Sequence, residues 1–375
     1  MQVAKTVDQI FGDDLHARRV LSLANGVVGT IDAAVLSIHA IGRGYARATN
    51  HDKRHGVKQT DRLLGNAGIE VWALFEPWAQ FVVGERKEIV LALDWTEFDA
   101  DDHATLAGYL ITSHGRATPL IWMTVSKATL KNKRNDHEYR LIERLHECLA
   151  ADVKVTLLAD RGFGDQKLYR FLQTLGWDFV IRFRGAIQVE DAAGTRKTAH
   201  AWVPTTGRAL IIRGARVTRT RAEVPAVVVV HAKQMKESWC LATTLAERKA
   251  ADIIKLYGRR FTIEETFRDQ KNFRFGLGLS ATHIGSTDRR DRLLLLAAVA
   301  QALLTLLGAA SEACGFDRRL KTNTSKKRTM SLLNQGLHIY EALPNMDDAK
   351  LMPIMLAFDR IVREHRIFHA VFGLI

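Results

Sequence analysis

The sequence predicts an α/β protein with helical ends and a β-rich segment in its second half. Three observations carry that expectation. Two mainly apolar runs, Ile89–Leu93 and Val153–Ala159, each end directly on an aspartate, as buried strands of an open sheet do when they deliver a residue to the sheet's edge. Helical patterns flank them, at residues 136–150 and before residue 85. Residues 186–245 break the alternation with short Val-, Ile- and Thr-rich runs punctuated by Gly and Pro.

In chain order, residues 1–85 read as helical and basic, with turn signals at Gly12, Gly26, Gly29 and Gly65. The segment Gly42 to Asn66 carries Arg43, Arg47, Lys53, Arg54, Lys58 and Arg62, which could track a phosphate backbone or line a solvated helical surface. No helix-turn-helix signature is clear there. Residues 86–185 form a first α/β unit. Its first strand runs Ile89–Leu93 to Asp94, two further strands fall near 103–112 and 119–126, and a helix follows at 136–150 with Asp136 as its cap. The run VKVTLLADRGFGD then brings Asp160 to a strand end, with Asp165 the better N-cap for the next helix. A β-rich insertion spans 186–245. A second α/β part spans 246–310, and a helical C-terminal region spans 311–375. The apolar run Leu293–Ala310 is borderline in length for a membrane span and holds Gln301 and Thr305, so a buried core helix is expected and no membrane partner.

Composition narrows the function classes. The 375 residues carry 54 Lys and Arg against 41 Asp and Glu, a net charge of +13, which suits a polyanion, nucleic acid first. Cys148, Cys240 and Cys314 are far apart and form no C-x-x-C pair, which argues against structural zinc and a disulfide framework and fits a reducing cytoplasm. His103, His114 and His137 lack ligand spacing and read as surface or packing residues.

The stretch around which the chain is organised is Tyr257 to Lys271, YGRRFTIEETFRDQK. Read as one helix at about 100° per residue, it places Tyr257, Arg260, Glu264 and Lys271 within roughly a 60° arc, with Phe261, Ile263 and Phe267 off that arc and free to bury. The plain alternative is a solvated face on which Arg260 and Glu264 form an i, i+4 ion pair. Glu265 points about 100° away from the arc. Asp94, Asp160 and Glu264 together would make an oxygen-lined site for two Mg²⁺ or Mn²⁺ ions, one activating an attacking water or 3′-hydroxyl and the other steadying the leaving oxygen.

These motifs resemble those of bacterial insertion-sequence DDE transposases of the insertion sequence four (IS-four) family. Tyr257, Arg260, Glu264 and Lys271 match that family's Y-x-x-R-x-x-x-E-x-x-x-x-x-x-K signature at each position, and DWTEFD and LLADRGFGD resemble its two Asp motifs. The resemblance covers roughly residues 40–330. It implies a ribonuclease H-like catalytic core interrupted by a β-rich insertion, with Asp94, Asp160 and Glu264 as the catalytic, metal-binding triad. It further implies DNA contacts by Arg260, Lys271 and Tyr257. Trp239 stands where relatives that cut through a DNA hairpin stack a flipped base; the alternative is a core Trp on the last insertion strand. The expected partners are double-stranded DNA, as transposon ends and target, and a second copy of the chain on paired ends. Lys58 and Arg62 belong to the candidate end-recognition surface. The implied setting is the bacterial cytoplasm, at the nucleoid. Two rivals stay open: a ribonuclease H-like nuclease without strand transfer, and a DNA-binding relative that has lost catalysis.

Overall fold

The structure, a computed structural model, describes residues 2–271, 278–279, 282–322, 324–326 and 328–363. Five helices come first: α1 (Gln2–Phe11), α2 (Ala17–Ala33), α3 (Ile38–Thr49), α4 (Lys53–Leu64) and α5 (Val71–Val83). Ser37 caps α3 and Asp52 caps α4 through side-chain oxygens that accept otherwise orphaned N–H groups. Helices α3 and α4 touch backbone to backbone at Gly42 and Gly56. A Cβ on Gly56 would fall 2.2 Å from the Gly42 carbonyl oxygen, so only glycine permits this approach.

The centre is one ten-stranded sheet. Its strands are β1 (Glu88–Phe98), β2 (His103–Leu110), β3 (Thr118–Ser126), β4 (Lys154–Ala159), β5 (Asp178–Arg182), β6 (Gln188–Glu190), β7 (Arg196–Thr198), β8 (Leu210–Val217), β9 (Ala222–Val230) and β10 (Trp239–Thr243). Across the sheet the order is β3-β2-β1-β4-β5-β10-β9-β8-β6-β7. β1, β2 and β3 form an antiparallel meander, while β4 and β5 run parallel to β1. The parallel strands are reached through α6 (Arg134–Cys148) and α7 (Gln166–Thr174), as parallel pairing requires. β10 pairs antiparallel with β5, so the strands of residues 186–245 extend the same sheet.

The local readings shift in two places here. β1 does not stop at Asp94 but runs on to Phe98, because Trp95–Phe98 continue the ladder with β2 and Thr96 and Phe98 are buried. Helix α6 starts at Arg134 rather than at a cap on Asp136, with no side-chain cap at its start. Asp165 does cap α7, accepting from the Lys167 N–H at 3.1 Å.

Four helices complete the described fold after α8 (Ala250–Gly258): α9 (Phe261–Lys271), α10 (Thr287–Ala313), α11 (Leu332–Ala342) and α12 (Asp348–Arg363). Among the described residues α10 is the single helix long and apolar enough to cross a membrane. Its residues 293–304 are all buried, and it packs against α2, α11, α12 and β3. Gly308 of α10 and Gly336 of α11 let the two helices meet closely, since a Cβ on Gly308 would fall 2.1 Å from the Leu332 oxygen.

Candidate active site

Parallel pairing sets Leu93 of β1 opposite Ala159 of β4. Asp94 and Asp160, one residue further on each strand, therefore emerge at the same level on neighbouring strands, which lie about 4.8 Å apart. Asp160 leaves its strand in extended conformation, and its Oδ1 accepts from the Gly162 N–H at 2.8 Å, capping a short 3₁₀ turn (Arg161–Phe163). Asp94 Oδ1 accepts from the Trp95 N–H at 2.9 Å. Burial pushes the Asp94 carboxyl up to about 6; Asp160 and Glu264 nearby add to the rise, while Arg260 and the Trp95 N–H oppose it.

The third carboxylate arrives differently from the single-helix expectation. The helix breaks between Gly258 and Phe261, where Arg260 N–H bonds to the Tyr257 carbonyl and Ile263 N–H to the Arg260 carbonyl in i→i−3 fashion. Tyr257 therefore lies in the last turn of α8, Arg260 sits in the break, and Glu264 lies in the first turn of α9. The break turns Phe261 outward, and it is 41% exposed rather than buried. Ile263 and Phe267 do bury, and the Thr266 hydroxyl ties α9 to Ala117 before β3, accepting from its N–H at 3.0 Å.

Arg260 joins the parts. Its Nη1 donates to Asp94 Oδ2 at 3.1 Å and its Nη2 to Glu264 Oε1 at 2.6 Å, with only 7% of its side chain exposed. Burial works against its charge, yet Tyr257, Asp94, Glu264 and Asp160 around it raise its pKa above the ordinary value. Tyr257 is fully enclosed, and burial raises its phenol pKa.

An aromatic wall borders this cluster. Trp239, at the start of β10, is partly exposed and meets Tyr257 edge-on at 5.0 Å between ring centroids and Phe261 at 5.9 Å. Beside it lies a cluster that sequence reading missed. Glu237 Oε2 accepts from Arg161 at 3.2 Å and from Arg182 at 2.7 Å, which fastens the segment before β10 to the turn after Asp160. Arg161 directly follows Asp160 in the LADRGFGD motif, the one local signal that pointed to it.

Thus Asp94, Asp160, Glu264, Arg260, Tyr257 and Trp239 come together. Lys58 and Arg62 sit elsewhere, exposed with Arg54 along one face of α4 at i, i+4 spacing. Lys271 ends α9, and its side chain lies outside the described residues. His103 and His114 are buried packing residues.

Among the described residues no three His, Cys, Asp or Glu side chains converge as a metal-binding set. Arg260 holds one oxygen each of Asp94 and Glu264. The donor set still fits a hard divalent cation, being three carboxylates without sulfur or imidazole. Burial raises the proton affinity of Asp94 even beside Arg260, and Asp160 and Glu264 add to the rise, so a cation at this carboxylate would be favoured.

Residues 85–301, more than half of the chain, match the family described as a transposase DDE domain. No curated protein matches the chain. The matched span begins just before β1 and ends within α10, and so contains all three carboxylates.

Proposed function

Because the chain belongs to the transposase DDE-domain family, we propose that it is a DNA transposase of the IS-four type with a ribonuclease H-like core. In this reading it binds the terminal inverted repeats of its own element, cleaves a strand there and joins the freed 3′-hydroxyl to target DNA. The observation that carries the reading is the in-register pair Asp94 and Asp160, to which Arg260 ties Glu264. The antiparallel β1–β3 meander flanked by parallel β4 and β5 supports the ribonuclease H-like assignment.

Two Mg²⁺ or Mn²⁺ ions held by Asp94, Asp160 and Glu264 would supply the charge that activates the attacking oxygen and steadies the leaving one. The residues themselves position the DNA. Arg260, already protonated and desolvated, can pass a guanidinium N–H from a carboxylate to a phosphate oxygen as the strand enters. Tyr257 backs Arg260 and the Trp239 ring from the enclosed side. Trp239, with one face bordered by Phe261, offers a surface on which an extruded base can stack. Lys58 and Arg62 on α4 contact the end sequence through its phosphates, and two chains act on paired ends.

The test is a labelled duplex bearing the terminal repeat, a supercoiled target, and Mg²⁺ or Mn²⁺, with wild type against Glu264→Ala. Cleavage followed by joining, both lost in the variant, is the expected result. Cleavage without joining makes the protein a nuclease. Tight, salt-sensitive binding without cleavage in either protein makes it a DNA-binding relative.

A further inference from the structure

Behind the carboxylate cluster lies a buried acid that the proposed mechanism leaves unused. Glu138, in the first half of α6, is 4% exposed. A carboxyl buried to this degree needs a partner. Its Oε1 accepts from the Trp95 indole Nε1 at 2.9 Å. The guanidinium of Arg134, one turn earlier on α6, covers the Trp95 ring at 5.0 Å from its centroid. Trp95 is thus held by both a hydrogen bond and a stacked cation from one helix.

Trp95 follows Asp94 on β1, so the two side chains point to opposite faces of the sheet. Asp94 meets Arg260 and the break before α9, while Trp95 meets α6. The backbone joins them, because the Trp95 N–H is what Asp94 Oδ1 accepts. Any rotation of the strand at Trp95 would therefore carry the Asp94 carboxylate with it. Glu138 also lies within electrostatic reach of Asp160 and Asp165. Burial pushes its carboxyl up to about 7, but Oε1 can accept the indole proton whether the group is ionised or neutral.

We propose that Glu138 is a positioning residue for the cation-binding carboxylates, acting through the Trp95 indole to fix the orientation of Asp94. This rests on the reading of Asp94 as a metal ligand. A residue that holds a ligand-bearing strand from the opposite face contributes to affinity without touching the ion, as outer hydrogen bonds do at other metal sites. The carboxylate is not required for this role; the acceptor oxygen is.

The experiment measures Mn²⁺ binding by calorimetry on the full chain without DNA, alongside strand cleavage, for Glu138→Gln, Glu138→Ala, Trp95→Phe and the Glu138→Ala/Trp95→Phe double variant. Glu138→Ala and Trp95→Phe are each expected to weaken Mn²⁺ binding about tenfold, the size of such outer-contact losses. Glu138→Gln, which retains an oxygen acceptor, stays within about twofold. The double variant loses no more than either single one, because both remove the same bond. A melt without metal separates these losses from unfolding.

The proposal is overturned if Glu138→Ala binds Mn²⁺ within about twofold of wild type, if Glu138→Gln falls as far as Glu138→Ala, or if the two single losses add. Should Glu138→Ala not fold, Trp95→Phe and Glu138→Gln decide, since loss in the first with retention in the second supports the bond and normal binding in the first refutes it. Wild-type Mn²⁺ binding without cleavage would sink the transposase reading and leave this inference standing. Wild-type cleavage with unchanged binding in every variant would do the reverse.

Discussion

Two buried arginines meet the β1 segment, and they are built for opposite ends. Arg290, in the first turn of α10, has no exposed side-chain surface. It bonds to Asp101 in the turn after β1, donates its Nε to His103 Nδ1 at 3.1 Å, and lies over the Phe98 ring at 4.0 Å. One cation meets one carboxylate, one neutral acceptor and one ring. Arg260 is almost as buried but serves Asp94 and Glu264 directly, with Asp160 and Tyr257 close enough to add to its proton affinity. The electrostatics follow. Burial lowers the Arg290 pKa, whereas the surroundings of Arg260 raise it, and Asp94 rises to about 6 even so. A balanced buried pair clamps a fold. A carboxylate whose ionisation burial still opposes beside its arginine is one that a further cation would relieve.

That difference can be broken by substitution. Arg290→Ala leaves Asp101 without its cation in a closed site, so a loss of about 3–5 kcal/mol is expected, read as a lowered denaturation midpoint. The protein that remains folded should cleave DNA at the normal rate. Arg260→Ala should cut cleavage roughly 10²–10³-fold as loss of a preorganised donor does, while the metal-free melt falls less than in Arg290→Ala, because Asp94, whose proton affinity burial already raises, can take up a proton. Glu264 is half exposed and can rehydrate when Arg260 is removed. If both variants lost stability alike, the contrast between clamp and site would fail.

Asp94→Asn sharpens the comparison further. The folded pKa of Asp94 lies above its ordinary value of 3.8, so the folded state favours the protonated form. Its contribution to stability is complete below about pH 4 and is lost as pH rises through about 6. Removing the charge should therefore raise the stability of the metal-free protein by about 3 kcal/mol at pH 8 and leave it nearly unchanged at pH 4. Cleavage should vanish. An Asn variant less stable than wild type at pH 8 would mean that the Arg260 bond outweighs the cost of burying the Asp94 charge.

How much of this was legible depended on how local the cause was. The apolar runs ending at Asp94 and Asp160 were readable because a buried strand and its end lie within a few residues. The approach of Arg260 to Glu264 was readable from i, i+4 spacing. The break between Gly258 and Phe261 was not, since a uniform 100° turn runs straight through it and leaves Phe261 free to bury, whereas the break exposes it. The extension of β1 past Asp94 depends on pairing with β2. The Arg161, Arg182 and Glu237 cluster joins positions 55 and 76 residues apart. Glu138 carries no mark of burial within its own helix, and the Trp95 indole that bonds it lies 43 residues away on β1.

The smallest expected effect comes from the clamp's neutral acceptor and runs opposite in pH to that of Asp94. His103 accepts the Arg290 Nε–H, which requires an unprotonated Nδ1. Burial first, and then the Arg290 charge, hold its pKa below the usual 6.5. The folded state thus favours neutral His103, whose contribution is present above about pH 6.5 and is lost as pH falls through the lowered folded value. His103→Asn, compared with wild type across pH 5–8, should flatten that acid loss while costing within about 1 kcal/mol at pH 8, where an amide oxygen replaces the ring nitrogen as acceptor. His114 is buried as well, with its pKa pushed down to about 3, so the wild-type acid slope is not that of His103 alone and the difference between the two proteins is the quantity to read. Acid should therefore loosen the Arg290 clamp while it relieves the Asp94 site, and an unchanged slope in His103→Asn would remove His103 from the clamp.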